Sequence, residues 1–375
     1  MIARGQRVAV LWPAIDDRLL VASTLPALAA ALTARGVVGE LIGPWDLRWD
    51  PLDLTCPRHV PWWRRAAAFV RRSITREPDP FASYRPSDGR LGHPFLWHEP
   101  PDRAEAVEAR WWGGLDLGGF DVVVAPGLPA GRRALHHPSR RPGTPVLVAD
   151  FHMLQGIDAW TPADRAHPDV RVTACFPSFA ALYARHGLRD VAWRPYPVHL
   201  GHTRPSPSVA EGLVAAGRNG RAFDALAAAA RSVGAGVVVL GDPALVAAAG
   251  APLEPRGVVD LPTFVGTLRR ADAVLVPLRH DPRHAAGITV VALALAAGKP
   301  VVASDTPAMR DHLRPGIDSL LVAEETPGAW ADALRRVRDP STRAHLAAGA
   351  AEAGNRLSVE AWADALVSPT APTPR

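Results

Sequence analysis

The aliphatic positions of this chain gather into short runs, separated by longer stretches in which apolar residues recur at helical spacing. Arg7 to Trp12 reads as a strand, Leu19 to Arg35 as an amphipathic helix and Val37 to Ile42 as a second strand. Val122 to Ala125, Val146 to Ala149, Val170 to Cys175 and Val191 to Trp193 follow as strands, with a helix expected at Ser178 to His186. The second half repeats the rhythm more cleanly. Gly212 to Ala216, Val237 to Leu240, Ala273 to Pro277, Val301 to Ser304 and Ser319 to Val322 are predicted strands. Helices are expected at Phe223 to Val233, in the apolar run ending at Gly298, and at Ala329 to Val337, Thr342 to Ala353 and Ser358 to Val367. Strands apolar at nearly every position are buried on both faces, and their alternation with helices predicts parallel sheets of an α/β protein.

One long stretch, Trp45 to Pro101, breaks this rhythm with prolines, aspartates and tryptophans. Within it, Trp62 to Arg76 reads W-W-R-R-A-A-A-F-V-R-R-S-I-T-R. On a helical wheel Trp62, Trp63, Ala66, Phe69, Val70 and Ile74 share one side, and Arg64, Arg65, Arg71, Arg72 and Arg76 the other. That is a basic amphipathic helix, either a surface helix or one lying on a membrane. Seven of the twelve tryptophans lie between Trp45 and Trp112, which suits core filling, an aromatic acceptor pocket or membrane contact.

The length of 375 residues predicts two domains at roughly 100–200 residues each. The stretch Arg194 to Ser208, with Pro195, Pro197, Pro205 and Pro207, is the expected linker. The expected division is residues 1–200, residues 209–357, a last helix at 358–367 returning to the first domain, and a disordered tail at 368–375. No apolar run approaches the ~18–20 residues that span a bilayer, and Val8 to Pro13 is too short for a signal peptide. A cytoplasmic location is the expectation, with peripheral contact at the inner membrane face if residues 62–76 bind lipid.

Net charge is +5, and Lys299 is the only lysine among 42 basic residues. The arginine fork binds two phosphate oxygens at once, which suits a nucleotide diphosphate or a phospholipid headgroup. No helix-turn-helix signature, zinc spacing or basic tail is present, so nucleic acid is not expected as a partner. Cys56 and Cys175 form neither a metal spacing nor a disulfide framework, and no metal site is expected. No glycine occurs in Pro13 to Arg18, so the first strand carries no dinucleotide fingerprint.

The segment Val290 to Val322 reads V-V-A-L-A-L-A-A-G-K-P-V-V-A-S-D-T-P-A-M-R-D-H-L-R-P-G-I-D-S-L-L-V. It resembles the donor half of bacterial retaining, nucleotide-sugar-dependent glycosyltransferases of the group 1 type, where the pattern is E-A-M-A-x-G-K-P-V-V-A-S-D and then G-x-x-G-L-L-V. The resemblance implies the GT-B architecture, two Rossmann-like domains facing a cleft, with the donor in the second domain and the acceptor in the first. It implies sugar transfer from a nucleotide-sugar to a small-molecule, peptide or lipid-linked acceptor, with no cofactor beyond that donor substrate. A non-catalytic binding protein and a nucleotide-sugar epimerase of the same architecture are the alternatives.

The turn Gly287-Ile288-Thr289 precedes a helix, where free N–H groups and the helix dipole favour an anion. Gly287→Val is expected to block phosphate approach and leave the fold intact. By resemblance, Arg218 and Arg221 after the first strand of the second domain would grip the diphosphate. Related enzymes carry two glutamates around this helix. The positions matching them here are Leu293 and either Ala285 or His284, so neither carboxylate is present. His284 and His280 are candidate contacts to sugar or phosphate. In the first domain, V-L-V-A-D-F-H-M at Val146 to Met153 is similar to the family's pair at the cleft mouth, which makes Asp150 and His152 candidates for acceptor chemistry. Asp16 and Asp17, in the first turn, would face the same cleft, with Asp17 a candidate base.

Overall fold

The computed structural model describes residues 2–11, 19–42, 109, 111–151, 154, 156–188, 190–198, 211–217, 220–257, 259, 261–279 and 286–367. They form two parallel sheets of six strands each. The first contains β1 (Arg7–Leu11), β2 (Val38–Ile42), β3 (Val122–Pro126), β4 (Val146–Asp150), β5 (Val170–Ala174) and β6 (Val191–Trp193) in the order β2-β1-β3-β4-β5-β6. The second contains β7 (Gly212–Ala216), β8 (Val237–Leu240), β9 (Leu253–Pro255), β10 (Ala271–Val276), β11 (Val301–Ser304) and β12 (Ser319–Val322) in the order β12-β11-β10-β7-β8-β9.

The period of two along each strand divides its side chains between two cores. Val122 and Val124 of β3 join one apolar cluster, and Val123 and Ala125 join another. In the second sheet Val214, Val274 and Val276 face the cluster that also holds Val8, Val10 and Leu147 of the first sheet. Leu213, Ala215, Ala273 and Leu275 face an outer core built on Trp330 and Leu334. One inner core is therefore continuous between the domains.

The last helix, Val359–Val367, lies on the first domain against helix Leu19–Ala34. Arg35 donates to both carboxylate oxygens of Asp364, at 2.6 and 2.8 Å, and to the carbonyl of Glu360 at 2.8 Å. Trp362 meets Phe151 with ring centroids 5.7 Å apart. The crossover into this helix is held by the Val198 N–H, 2.7 Å from the Leu357 carbonyl.

Several elements of the second domain, helix Pro243–Ala249 among them, are not marked by the apolar pattern. β9 has three residues, two of them exposed, so no run marks it. Helix Leu261–Arg270 supplies the buried Val265 and Leu268 from a mixed stretch. Among the described residues no helix is long and apolar enough to cross a membrane. The basic segment 62–76 lies outside the described residues.

Candidate functional site

In an open parallel sheet, ligands bind beyond the carboxyl ends of the strands, where the strand order reverses. In the second sheet that point lies between β7 and β10. The exit of β7 is Gly217 to Ala222, and the exit of β10 runs from Pro277 to the helix Ile288–Ala296.

These two exits are bound to each other. Leu278 and Arg221 form an antiparallel bridge, with the Ala222 N–H donating to the Pro277 carbonyl at 3.2 Å and the Arg279 N–H to the Gly220 carbonyl at 2.8 Å. The Arg279 side chain adds an Nε bond to the Arg221 carbonyl at 3.2 Å. From the neighbouring strand, the Ser304 hydroxyl accepts from the Leu278 N–H at 2.7 Å and donates to the Leu278 carbonyl at 3.0 Å.

Arg221, which the resemblance makes a diphosphate clamp, is a buried residue. It is 7% exposed, its Nε donates to the Ala216 carbonyl at 2.8 Å, and its guanidinium covers Gly217. Gly217 has φ +115, and a Cβ there would overlap that guanidinium. Burial pulls the Arg221 pKa down to about 10, so the group remains a cation at neutral pH. It places a buried positive charge at the switch point. Arg218 lies outside the described residues.

Gly287 caps the start of helix Ile288–Ala296 with φ +85. Its conformation belongs to glycine, and a Cβ would stand 2.7 Å from Cγ1 of Val276 and 3.3 Å from Cδ2 of Leu278. Gly287→Val would therefore disturb the fold itself, against the expectation of an intact domain. The N–H groups of Ile288 and Thr289 stand in the first helical turn, which has no acceptor within the helix. Thr289 is half-buried. His284, His280 and Ala285 lie outside the described residues.

Leu293, at the position matched to a glutamate by resemblance, is 1% exposed inside the inner core. Ile288, Val290, Val291, Ala292, Ala294 and Leu295 are buried on the same helix. The helix ends in a C-terminal cap, with Gly298 at φ +67 and the Lys299 N–H bonded to the Ala294 carbonyl at 2.9 Å.

In the first domain, Asp150 ends β4 and is fully buried. Its Oδ2 accepts from the Tyr183 hydroxyl at 2.7 Å and from the Leu154 N–H at 2.8 Å. Leu154 has φ +65, a left-handed conformation that is uncommon outside glycine and is held here by that bond. A buried carboxylate so engaged shapes the turn after β4. It is not open to the cleft mouth, where the sequence reading placed it. His152, Asp16 and Asp17 lie outside the described residues.

The two domains meet between the exits of β5 and β11. The Ser178 hydroxyl donates to Oδ2 of Asp311 at 2.6 Å, and the Ser178 N–H to both its oxygens at 3.2 Å. Burial raises the Asp311 pKa, and the Ser178 bonds oppose the rise. His312 is buried against Phe176, with ring centroids 5.4 Å apart. Its Nε2 accepts from the Tyr196 N–H at 3.3 Å, and its Nδ1 lies 3.2 Å from the Ala308 carbonyl. One ring nitrogen as acceptor and one as donor is the neutral form, and burial lowers the pKa to about 4. Sequence reasoning missed Ser304, Asp311 and His312. The S-D and R-D-H letters were visible, but nothing in them says which other strand exit they reach.

Residues 213–339 match the family description "Glycosyl transferases group 1". Over those residues the second domain is similar to group 1 glycosyltransferases. A stretch of 84 residues is 43% identical to D-inositol 3-phosphate glycosyltransferase of Frankia alni, covering 22% of this chain and 19% of that protein. The match thus spans about a fifth of that relative's length. Similarity of fold reaches further. Sucrose-phosphate synthase from Thermosynechococcus elongatus superposes with a TM-score of 0.63 at 17% identity, covering 96% of this chain and 97% of that one. HepE from Anabaena, solved in complex with UDP-glucose, gives 0.58 at 13% identity, covering 96% and 98%. Both likenesses extend over the two domains, so the fold is the GT-B architecture.

Proposed function

We propose that this protein is a glycosyltransferase that binds a nucleotide-sugar at the β7–β10 switch point and passes the sugar to an acceptor held by the first domain. The observation that carries the reading is the buried Arg221 cation on a turn bridged to the β10 exit, which leads to the free N–H groups of the helix start after Gly287. A departing nucleoside diphosphate gains negative charge, and fixed N–H groups and a guanidinium stabilise it without reorganising. The group 1 match covers this crevice, and HepE was crystallised with UDP-glucose. Arg218, His284, Ile288 and Thr289 complete the proposed donor site, and His152 and Asp17 the acceptor side. The acceptor is a small molecule, a peptide or a lipid-linked group, the last if residues 62–76 touch a membrane.

One observation favours a second reading, a nucleotide-sugar-binding protein that transfers nothing. Leu293 is a core residue, so this helix offers no carboxylate to the ribose or the sugar there. The deciding experiment is a thermal-shift screen against UDP, GDP and ADP, followed by an assay of diphosphate release from the matching nucleotide-sugars. A nucleotide at about a hundred times its Kd adds about 2.7 kcal/mol to stability. Stabilisation with sugar-dependent release supports the transferase. Stabilisation without release, across a broad acceptor panel, supports the binding protein. No stabilisation by any of the three sinks both.

A further inference from the structure

The β10–β11 ladder runs from Val274 opposite Val301 to Val276 opposite Ala303, and then stops. Pro277 follows, with its carbonyl turned to the β7 exit, and Leu278 is the next residue whose polar groups face β11. The chain must nevertheless leave the sheet here with its polar groups satisfied, because Leu278 is 2% exposed. The flanking bonds of the β7 exit go to the Pro277 carbonyl and the Arg279 N–H, so neither uses the polar groups of Leu278 itself. Both of those groups are taken by one side chain, the Ser304 hydroxyl, which is 3% exposed. Leu278 in turn floors the turn at Gly287, with its Cδ2 within 3.3 Å of where a Cβ on that glycine would stand.

We infer that Ser304 is a positioning residue for the proposed diphosphate seat. Leu278 keeps the alternation by which Val274 faces β11, and the Ser304 hydroxyl takes the place of the ladder bonds that stop there, holding Leu278 between β7 and β11. Through Leu278 it sets the height of Gly287 and the aim of the first-turn N–H groups. It touches no ligand itself. The inference rests on the donor reading of this crevice and adds the residue that determines its geometry. An alanine would leave a buried N–H and a buried carbonyl of the exit loop without partners, and the loop would shift to find others.

The test measures binding by calorimetry with three probes: inorganic pyrophosphate, whichever of UDP, GDP and ADP binds best, and its parent nucleoside. Ser304→Ala is expected to weaken pyrophosphate and the diphosphate by about the same factor, roughly tenfold, and to leave nucleoside binding unchanged. Ser304→Thr, which keeps the hydroxyl, is expected to restore affinity. Hydrogen exchange is expected to speed up at the Leu278 amide in Ser304→Ala. Leu346→Ala, in the outer core, controls for lost stability and is expected to lower Tm without changing pyrophosphate affinity. If Ser304→Ala does not fold, Ser304→Cys keeps the volume, gives up the strong acceptor and carries the same expectations. Unchanged pyrophosphate affinity in a folded Ser304 variant lacking the hydroxyl overturns the inference and leaves the donor reading standing. A wild type that binds neither pyrophosphate nor any diphosphate removes both.

Discussion

Beneath the strand exits of the first domain lies a carboxylate, Asp150, and beneath those of the second lie a guanidinium and a hydroxyl, Arg221 and Ser304. The mechanical need is the same in both places. A chain leaving a buried parallel sheet carries polar groups that no ladder satisfies, and a side chain must meet them. Asp150 does so for the Leu154 N–H, Arg221 for the Ala216 carbonyl and Ser304 for both groups of Leu278. The electrical result is opposite. A buried cation draws a diphosphate and a buried carboxylate repels it, more strongly than in water because the surroundings are less polar. The difference supports the proposal that a diphosphate binds at the second domain.

Substitution at Gly287 should break the second mouth outright. Gly287→Val combines backbone strain with a clash against Val276, a loss on the order of 4 kcal/mol in denaturant unfolding together with loss of diphosphate binding. A variant as stable as wild type would show that the exit loop adapts. Asp150→Ala should cost about 3 kcal/mol, because it strands the Tyr183 hydroxyl and the Leu154 N–H, yet leave diphosphate affinity unchanged. A fall in affinity there would join the two mouths that the comparison separates.

The seam between them is expected to respond to acid. His312 is held neutral, with its pKa lowered to about 4 from 6.5. Between those values the unfolded chain binds a proton that the folded chain refuses, so stability is complete above pH 6.5 and falls as pH drops toward 4. The loss is roughly 2–3 kcal/mol for a buried group. His312→Asn should flatten that part of the profile, and an unchanged slope in urea unfolding from pH 7 to pH 4.5 would assign it to other groups.

Arg221→Met tests the cation directly. Stability should fall by about 1–2 kcal/mol, since relief of a buried charge only partly offsets the Ala216 carbonyl left without its donor. Diphosphate affinity should fall roughly 30-fold, about 2 kcal/mol, by calorimetry. Equal affinity in the two proteins would remove Arg221 from the proposed site. The smallest effect concerns Leu293. With no carboxylate on that helix position, ribo- and deoxyribonucleoside diphosphates should differ by less than about 1 kcal/mol, or roughly fivefold. A larger gap, read by competition binding, would mean that another residue holds the ribose hydroxyls.

How much of this could be read from the chain follows from what is local. The apolar runs of β7, β10 and β11, the glycine before helix Ile288–Ala296 and the Gly298 stop are short-range signals, and they sufficed for the parallel α/β sheet and for a helix start beyond the carboxyl end of β10. β9 escaped because three residues at a sheet edge carry no period. Leu293 was legible as lacking the carboxylate that the resemblance implies, because its spacing from Gly298 is local. The roles of Asp150, Arg221 and Ser304 were not legible, since each is decided by a partner on another segment. Asp150 meets Tyr183, Arg221 closes on the glycine behind it as its turn bridges to Leu278, and Ser304 reaches Leu278 from the next strand. A letter sequence determines which residues are apolar, which carry charge and where the backbone can turn. Whether a charged side chain stands in water or beneath a strand exit depends on which segments are packed above it, and only the tertiary structure brings those together.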